Sequence, residues 1–353
     1  MCKIKSVTFR NYKAFGDEDC QIELRPMTLV VGKNSSGKSS VLKLLSILSS
    51  VVEEQEPLLP LSNEFVTIGG IYADLFHNNE NTGLKIELDY QNGMKLETEY
   101  AINEGQLFVY RHEVKNRQET DTLGFGMNYI GPIRVTAQRN VEIGALSRSL
   151  IVGKDGGKAY SILLHSYLTD KTLFNNVSQW MAKHLEGQEL DFERNSPTSG
   201  SYSLYVKHGK AKVNVADVGL GLSQVLPIIL QSFIDDNSDI LAVEQPALHI
   251  HPAAHADVIE RLALSAKEFN RCCVVETHSK NVLLGVRRMI ADQECPITAE
   301  DVIIYFVDVN GDRALMKPIH VDVDGSLDDW PDGVFGEDYD LLRDIKRHGE
   351  QQP

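Results

Sequence analysis

The sequence feature that most constrains this chain is the run at residues 32–39, GKNSSGKS, which fits the pattern G-x-x-x-x-G-K-[S/T]. An apolar stretch at residues 27–31 comes directly before it, and an apolar stretch with helical spacing, residues 39–52, follows. In this setting glycines let the backbone curl so that successive N–H groups point at phosphate oxygens, at the positive end of a helix. The run predicts an α/β fold with a phosphate-binding loop (P-loop); a chance glycine-serine loop is the alternative.

Two side chains of the P-loop carry specific chemistry. Lys38 is placed to neutralise the β- and γ-phosphates of a nucleotide, and the Ser39 hydroxyl is placed to bind a magnesium ion. The candidate nucleotide-binding residues of this segment are Gly32, Lys33, Asn34, Ser35, Ser36, Gly37, Lys38, Ser39 and Ser40.

Composition narrows the class of protein. The 353 residues allow one large or two modest domains, and 50 acidic against 35 basic residues give a net charge of −15. A chain this acidic does not coat itself with nucleic acid, although a local basic groove or a partner could still bind it. No stretch reaches the length of a transmembrane helix, and five cysteines without metal-ligand spacing favour a reduced, cytoplasmic setting.

The order of predicted elements suggests four segments. Residues 1–133 hold the P-loop and an antiparallel meander over residues 84–110, and residues 134–187 are interpreted as a helical insertion. From residue 188, strands give way to helix–strand alternation, which indicates a parallel sheet with crossover helices. This part extends to residue 325, and residues 326–353 form a C-terminal strap and tail.

Five further motifs resemble those of a known family. Residues 7–15, VTFRNYKAF, resemble the N-F-K-x-F segment of RecF, SMC and OLD-like ATPases. The remaining motifs resemble those of stand-alone AAA-type ATPases that lack a coiled coil. They are GLGLSQ (219–224), EQPALHIHP (244–252), ETHS (276–279) and WPDGVF (330–335). The resemblance implies a P-loop NTPase of the ABC/SMC head type, with a mixed sheet, an antiparallel meander, a helical insertion, and ATP and Mg²⁺ as ligands.

Glu244 and Gln245 are the first pair of site residues outside the P-loop. Glu244 ends an apolar strand, where a buried carboxylate needs a cation or polar partner, and we expect it to bind Mg²⁺. ABC-type heads usually have a general-base Glu at the next position, whereas this chain has Gln245. An amide cannot accept a proton at neutral pH but can orient a water molecule, so we expect slow turnover.

Two residues of the ETHS motif are further candidates. The resemblance implies that His278 is a switch histidine that reaches the γ-phosphate, and a histidine capping a helix is the alternative. Glu276 is hypothesised to supply the missing base.

The GLGLSQ motif resembles the signature loop that completes the ATP site of a second subunit. Its candidate residues are Gly221, Ser223 and Gln224, and the implied assembly is a head-to-tail dimer with ATP between the subunits. Without the family context, a tight turn with a helix cap explains this motif equally well.

Three other patterns in the sequence have both a functional and a structural interpretation. His249, His251 and His255 lack the acid or cysteine that would complete a metal site. The run at residues 322–324, DVD, is interpreted as a hairpin end and not as a nuclease site. Arg134 is placed either to contact phosphate or to form a surface ion pair.

Three functions are compatible with these motifs. The first is a slow ATP hydrolase whose ATP-bound dimer gates a separately encoded effector protein, typically a nuclease, in phage defence. The second is a RecF-like DNA-repair ATPase, which needs a basic face such as Arg287 and Arg288 with Arg139 or Arg148. The third is a nucleotide-sensing scaffold with negligible hydrolysis.

Overall fold

The computed structural model describes residues 2–54, 58–79, 83–329, 343 and 345–348. Its strands are β1 (Ile4–Arg10), β2 (Cys20–Glu23), β3 (Met27–Gly32), β4 (Leu84–Tyr90), β5 (Lys95–Asn103), β6 (Gln106–Lys115), β7 (Met127–Ile130), β8 (Val141–Glu142), β9 (Glu189–Arg194), β10 (Ser201–His208), β11 (Ala211–Asn214), β12 (Ile240–Glu244), β13 (Cys272–Thr277), β14 (Val302–Asn310) and β15 (Arg313–Ile319). Its α-helices are α1 (Lys38–Glu54), α2 (Ala159–Leu168), α3 (Thr172–His184), α4 (Leu220–Ser232), α5 (His255–Glu268) and α6 (Lys280–Ala291).

A six-stranded mixed sheet organises the molecule, with the strand order β15-β14-β3-β13-β12-β7. All neighbours in it are parallel except β14 and β15, which form a hairpin around a two-residue turn at Gly311 and Asp312. This confirms the predicted parallel sheet with crossover helices. Because β3, β13, β12 and β7 run in the same direction, their carboxyl ends meet at one edge of the sheet.

The central strands are buried on both faces, which explains why they read as continuous apolar runs. Successive residues along these strands face two different hydrophobic cores. Leu29, Val243 and Val275 face the core that contains α4 and α5, whereas Val30 and Val274 face the core that contains α1 and the antiparallel sheet. The strand period of two thus places every second side chain on the α1 face.

The predicted meander is confirmed as part of a second sheet. Its five antiparallel strands follow the order β2-β1-β4-β5-β6, and the turns between β4, β5 and β6 lie where the sequence places them. The alternating burial of β4 is typical of a strand with one face on the core.

The segment 134–187 is less helical than expected. Helices α2 and α3 lie within it, as a helical insertion requires. Residues 134–158, however, contain no α-helix, and β8 pairs with β10 through Glu142 and Ser201. Residues on both sides of position 187 therefore share one small sheet, because β9 and β11 also pair with β10.

Two sequence predictions lie outside the described residues. These are the WPDGVF motif at 330–335 with its proposed strap, and the C-terminal tail at 350–353. In the part of the chain that is described, no helix is long and apolar enough to cross a membrane.

Candidate nucleotide site

The P-loop joins β3 to α1 and requires its two motif glycines. Gly32 has a φ of +146°, and a Cβ atom on it would lie 2.1 Å from the Val307 carbonyl oxygen. Gly37 has a φ of +104° and would bring a Cβ atom within 3.2 Å of the Phe15 ring. Phe15 belongs to the VTFRNYKAF segment, so this N-terminal motif packs directly against the P-loop.

The side chains of the loop fit a phosphate ligand. The Lys38 ammonium is buried and donates to the Lys33 carbonyl oxygen inside the loop. Burial lowers the pKa of Lys38, whereas the charges of Glu276 and Glu244 act in the opposite direction. The Ser36 hydroxyl is 1% exposed and has no hydrogen-bond partner among the described residues. A buried hydroxyl left unpaired is costly, and a phosphate oxygen would satisfy it.

Glu244 and Glu276 end neighbouring strands side by side. They are direct partners in the parallel register of β12 and β13, so their side chains point to the same, α1-facing side of the sheet. The Ser39 hydroxyl donates a hydrogen bond of 2.7 Å to Glu276 Oε2, and the Tyr129 hydroxyl donates to Glu244 Oε1. The structure thus brings the predicted magnesium residues Ser39 and Glu244 to one place and adds Glu276 and Tyr129.

The Glu244 carboxylate is buried next to the Glu276 carboxylate, and both effects disfavour its charged form. Burial, followed by the charge of Glu276, raises the pKa of Glu244 to about 7. The Tyr129 hydrogen bond and the charges of Lys43 and Arg134 act against that increase. Two buried carboxylates that repel each other favour a bound cation, which would compensate both charges.

Gln245 occupies an unusual backbone position beside this pair. Its φ of +48° lies in the left-handed region, which few residues other than glycine adopt. Its backbone N–H donates to the Glu276 carbonyl oxygen at 2.8 Å, and its side-chain amide donates to Glu276 Oε1 at 3.3 Å. Both hydrogen bonds hold Gln245 against Glu276.

His278 lies just past the end of β13 and is exposed to solvent. The interpretation of His278 as a helix cap is wrong, because the cap of α6 is Ser279, whose hydroxyl accepts from the Val282 N–H at 3.4 Å. His278 therefore sits at the same sheet edge as Glu276 with its ring directed to solvent-accessible space.

The GLGLSQ motif forms the start of α4, with Gly219 and Leu220 exposed and Ser223 and Gln224 buried in their own subunit. The Ser223 hydroxyl is buried and donates to the Leu220 carbonyl oxygen at 2.8 Å, and Gln224 Nε2 donates to the Arg134 carbonyl oxygen at 3.2 Å. A Cβ atom on Gly221 would lie 2.5 Å from the His249 carbonyl oxygen, so this glycine allows a close approach. Among the described residues, no hydrogen bond joins this motif to the P-loop.

Arg134 follows β7 and is only 4% exposed. The interpretation of a surface ion pair is therefore wrong. Its guanidinium donates to the backbone carbonyl oxygens of Glu244, Gln245 and Gln224. Tyr129 and this role of Arg134 escape sequence reasoning, since only the pairing of β7 with β12 brings them to the site.

The other candidate patterns have structural explanations. His251 Nδ1 accepts from the Ala253 N–H, and both ring nitrogens of His255 have partners. The described residues contain no group of three or more His, Cys, Asp or Glu side chains arranged to hold a metal. The run at 322–324 forms a tight turn, closed by the Gly325 N–H on the Asp322 carbonyl oxygen at 2.8 Å, which confirms the hairpin interpretation.

Three of the four arginines named for a DNA-binding face have protein partners. Arg139 donates to both carboxylate oxygens of Asp217. Arg288 lies between Asp257 and Glu260, with nitrogen–oxygen distances of 3.3 and 3.0 Å, and Arg287 donates to the Gly325 carbonyl oxygen at 2.6 Å.

Comparisons with known families match three parts of the chain. Residues 2–130 match the family described as AAA ATPase domain. Residues 132–285 match the family described as AAA domain, putative AbiEii toxin, Type IV TA system. Residues 297–345 match a family of proteins of unknown function, DUF3696. No curated protein sequence matches the chain.

Solved structures of SMC head domains share the fold. A Smc head with an extended coiled coil, bound to the C-terminal domain of ScpA derived from Pyrococcus furiosus, aligns with a TM-score of 0.56 over 98% of this chain and 100% of that one. An SMC head bound to the C-winged helix domain of ScpA gives 0.55 over 90% and 98%, and the head from Thermotoga maritima gives 0.50 over 90% and 100%. Each is 13% identical, so these matches establish the fold: an α/β P-loop NTPase of the SMC head type. Together with the ATPase-domain matches, they support an ATP-binding ATPase.

Proposed function

We propose that this chain is a magnesium-dependent ATPase of the RecF/OLD-like group that hydrolyses ATP slowly and uses an ATP-bound dimer to gate a separate effector protein. The proposed ATP hydrolysis rests on one observation: the P-loop lies beside two buried carboxylates. Ser39, Glu244 and Glu276 come from three segments far apart in sequence, yet they lie at one edge of the central sheet.

Ser39 and Glu244 are the residues that would hold Mg²⁺. Hydroxyl and carboxylate oxygens suit this hard cation, and its charge would compensate the two neighbouring carboxylates. When bound, Mg²⁺ supplies charge compensation for the β- and γ-phosphates. Lys38 supplies the second positive charge from inside the loop.

Glu276 is the proposed general base. It is the carboxylate that contacts both Ser39 and Gln245, and it can accept a proton that Gln245 cannot. Gln245 donates its amide to Glu276, which leaves its side-chain oxygen to orient a water molecule. Because Gln245 stands where ABC-type heads usually have a general-base Glu and cannot accept a proton, slow turnover follows.

Assembly is the second part of the proposal. The GLGLSQ motif, with Gly221, Ser223 and Gln224, is the segment that would meet the ATP of a second subunit in a head-to-tail dimer. Its first residues, Gly219 and Leu220, are exposed and open to such a contact. Two of the similar SMC heads are bound to a domain of ScpA, which supports a protein partner in general terms. The family description that mentions a putative AbiEii toxin is compatible with a role in phage defence through an effector such as a nuclease.

The first experiment measures phosphate release from ATP by the wild type, Lys38→Ala and Gln245→Glu. We expect slow wild-type turnover above the Lys38→Ala background, and faster turnover by Gln245→Glu. Wild-type turnover equal to that background, with a gain only in Gln245→Glu, would instead support the nucleotide-sensing scaffold.

A second experiment tests assembly and ligand. Light scattering with ATP and Mg²⁺ should show a dimer for Glu276→Gln, and a monomer when Leu220→Arg, at an exposed position of the GLGLSQ motif, is added. Salt-dependent retention of duplex DNA by the wild type would favour the RecF-like alternative, which the paired arginines disfavour.

A further inference from the structure

The Arg134 guanidinium is a buried cation whose partners are unusual. Every hydrogen bond that it makes within the described chain ends on a backbone carbonyl oxygen, and its Nε atom has no hydrogen-bond partner there. Burial lowers its pKa to about 10, against the opposing charge of Glu244. Burying a charge without a direct carboxylate partner is costly, which draws attention to the backbone groups that this guanidinium holds.

One arm of the guanidinium controls the conformation of Gln245. Nη2 donates to the carbonyl oxygens of Glu244 and Gln245, the latter at 3.2 Å. The Gln245 N–H is bonded to the Glu276 carbonyl oxygen on the other side. The left-handed backbone of Gln245, which costs about 1–3 kcal/mol in a residue other than glycine, is therefore held from both ends.

The other arm reaches α4. Nη1 donates to the Gln224 carbonyl oxygen at 3.3 Å, and the Gln224 side chain returns a hydrogen bond of 3.2 Å to the Arg134 carbonyl oxygen. This reciprocal pair ties the first turns of α4 to the loop after β7. One rigid, planar donor thus spans from the GLGLSQ helix to Gln245.

We propose that Arg134 is a positioning residue that couples the start of α4 to Gln245, so that the signature helix and the hydrolytic water site adjust together. This inference rests on the proposed ATPase function. We expect lysine not to replace arginine here, because the donors of an ammonium radiate from one nitrogen, whereas the guanidinium reaches Gln224 from Nη1 and Gln245 from Nη2.

A matched control lies at the other end of the same helix. Arg271 is also buried, and it donates to the Gln231 and Ile234 carbonyl oxygens near the end of α4 and to Asp236. It precedes β13 and therefore lies at the sheet edge opposite Glu276. Arg271→Lys disturbs a comparable buried network without touching Gln245.

The experiment compares wild type, Arg134→Lys and Arg271→Lys by ATP turnover and by hydrogen exchange of α4 with and without Mg·ATP. We expect Arg134→Lys to lower kcat about tenfold or more with KM for ATP within about twofold, and Arg271→Lys to keep both. ATP should slow exchange at the start of α4 in the wild type and Arg271→Lys, but not in Arg134→Lys. If Arg134→Lys does not fold, Gln224→Met carries the same expectation.

The outcomes separate the two proposals. Equal kcat values for the two lysine variants, with active wild type, would overturn the role of Arg134 and leave the ATPase function standing. Wild-type turnover no higher than that of Lys38→Ala would overturn the hydrolytic function. Hydrogen exchange of α4 would then be the one test of the coupling between α4 and Gln245. A wild type that binds no ATP would overturn both.

Discussion

The Ser39 hydroxyl donates a hydrogen bond of 2.7 Å to Glu276 Oε2, across 237 positions of sequence. This contact links the P-loop to the ETHS motif rather than to the acid that ends β12. Glu244, which the sequence marks as the magnesium ligand, is instead bonded by Tyr129. The two carboxylates therefore have different neighbours at the sheet edge. Glu276 lies beside the P-loop serine, and Glu244 lies beside Tyr129 of β7.

Glu276→Gln should reduce turnover at least as much as Gln245→Ala. The substitution removes the carboxylate that contacts both Ser39 and Gln245 while keeping the side-chain volume. A loss of about 10²-fold or more in kcat is the magnitude typical of a general base. Steady-state phosphate release at saturating ATP measures it, and a smaller loss than in Gln245→Ala would contradict the assignment of Glu276.

Tyr129→Phe should weaken the response to Mg²⁺ and leave metal-free nucleotide binding unchanged. The ring stays packed in its core, but Glu244 loses the donor that orients its carboxylate. We expect the Mg²⁺ concentration for half-maximal turnover to rise about tenfold. Tyr90→Phe is the control, since its buried hydroxyl donates to the Leu123 carbonyl oxygen away from the site. An equal shift in both variants would argue against a role at Glu244.

Gly32→Ala should destabilise the protein by about 3 kcal/mol or more, because a positive φ is combined with a backbone clash on the Val307 carbonyl oxygen. Gly105→Ala separates the two causes: its φ is +79° but no atom lies within 4 Å of an added Cβ. That control should cost about 1 kcal/mol. Urea unfolding of both variants tests the difference, and equal losses would show that the clash is relieved by a backbone shift.

His255 should make stability sensitive to mild acid. Its Nε2 atom bonds the Ile250 carbonyl oxygen, which can only accept, so Nδ1 is left to accept from the Ser279 hydroxyl. Burial lowers the pKa of His255, with the nearby His251 acting in the same direction. The folded state therefore binds a proton less readily than the unfolded chain, and stability falls as the pH drops through the ordinary histidine range.

His255→Asn, whose Oδ1 can replace Nδ1, isolates that effect. The wild type should be the more stable protein at about pH 7.5, and its advantage in melting temperature should shrink by about pH 5.5. A difference between the two proteins that does not change with pH would show that His255 does not titrate in this window.

The sequence by itself determined the P-loop, the element order and most element boundaries. It could do so because these depend on local patterns: a glycine spacing between strand and helix, alternation with period two in the meander, and apolar runs in strands buried on both faces. The helical interpretation is wrong for residues 134–158. Their apolar residues show no regular period, and the short strand β8 is stabilised by its pairing with β10, which a local pattern does not reveal. Residue types also identified Glu244, Gln245 and Glu276 as a group.

Only the tertiary structure decided which of these side chains touch. The parallel register of β12 and β13 sets Glu244 beside Glu276, and the pairing of β7 with β12 adds Tyr129 and buries Arg134. Ser223, chosen by sequence as an anion ligand, turns its hydroxyl onto its own helix. Such contacts depend on strand register and helix orientation between segments that are 31 residues apart for Gln245 and Glu276 and 115 apart for Tyr129 and Glu244, and no local pattern contains that information.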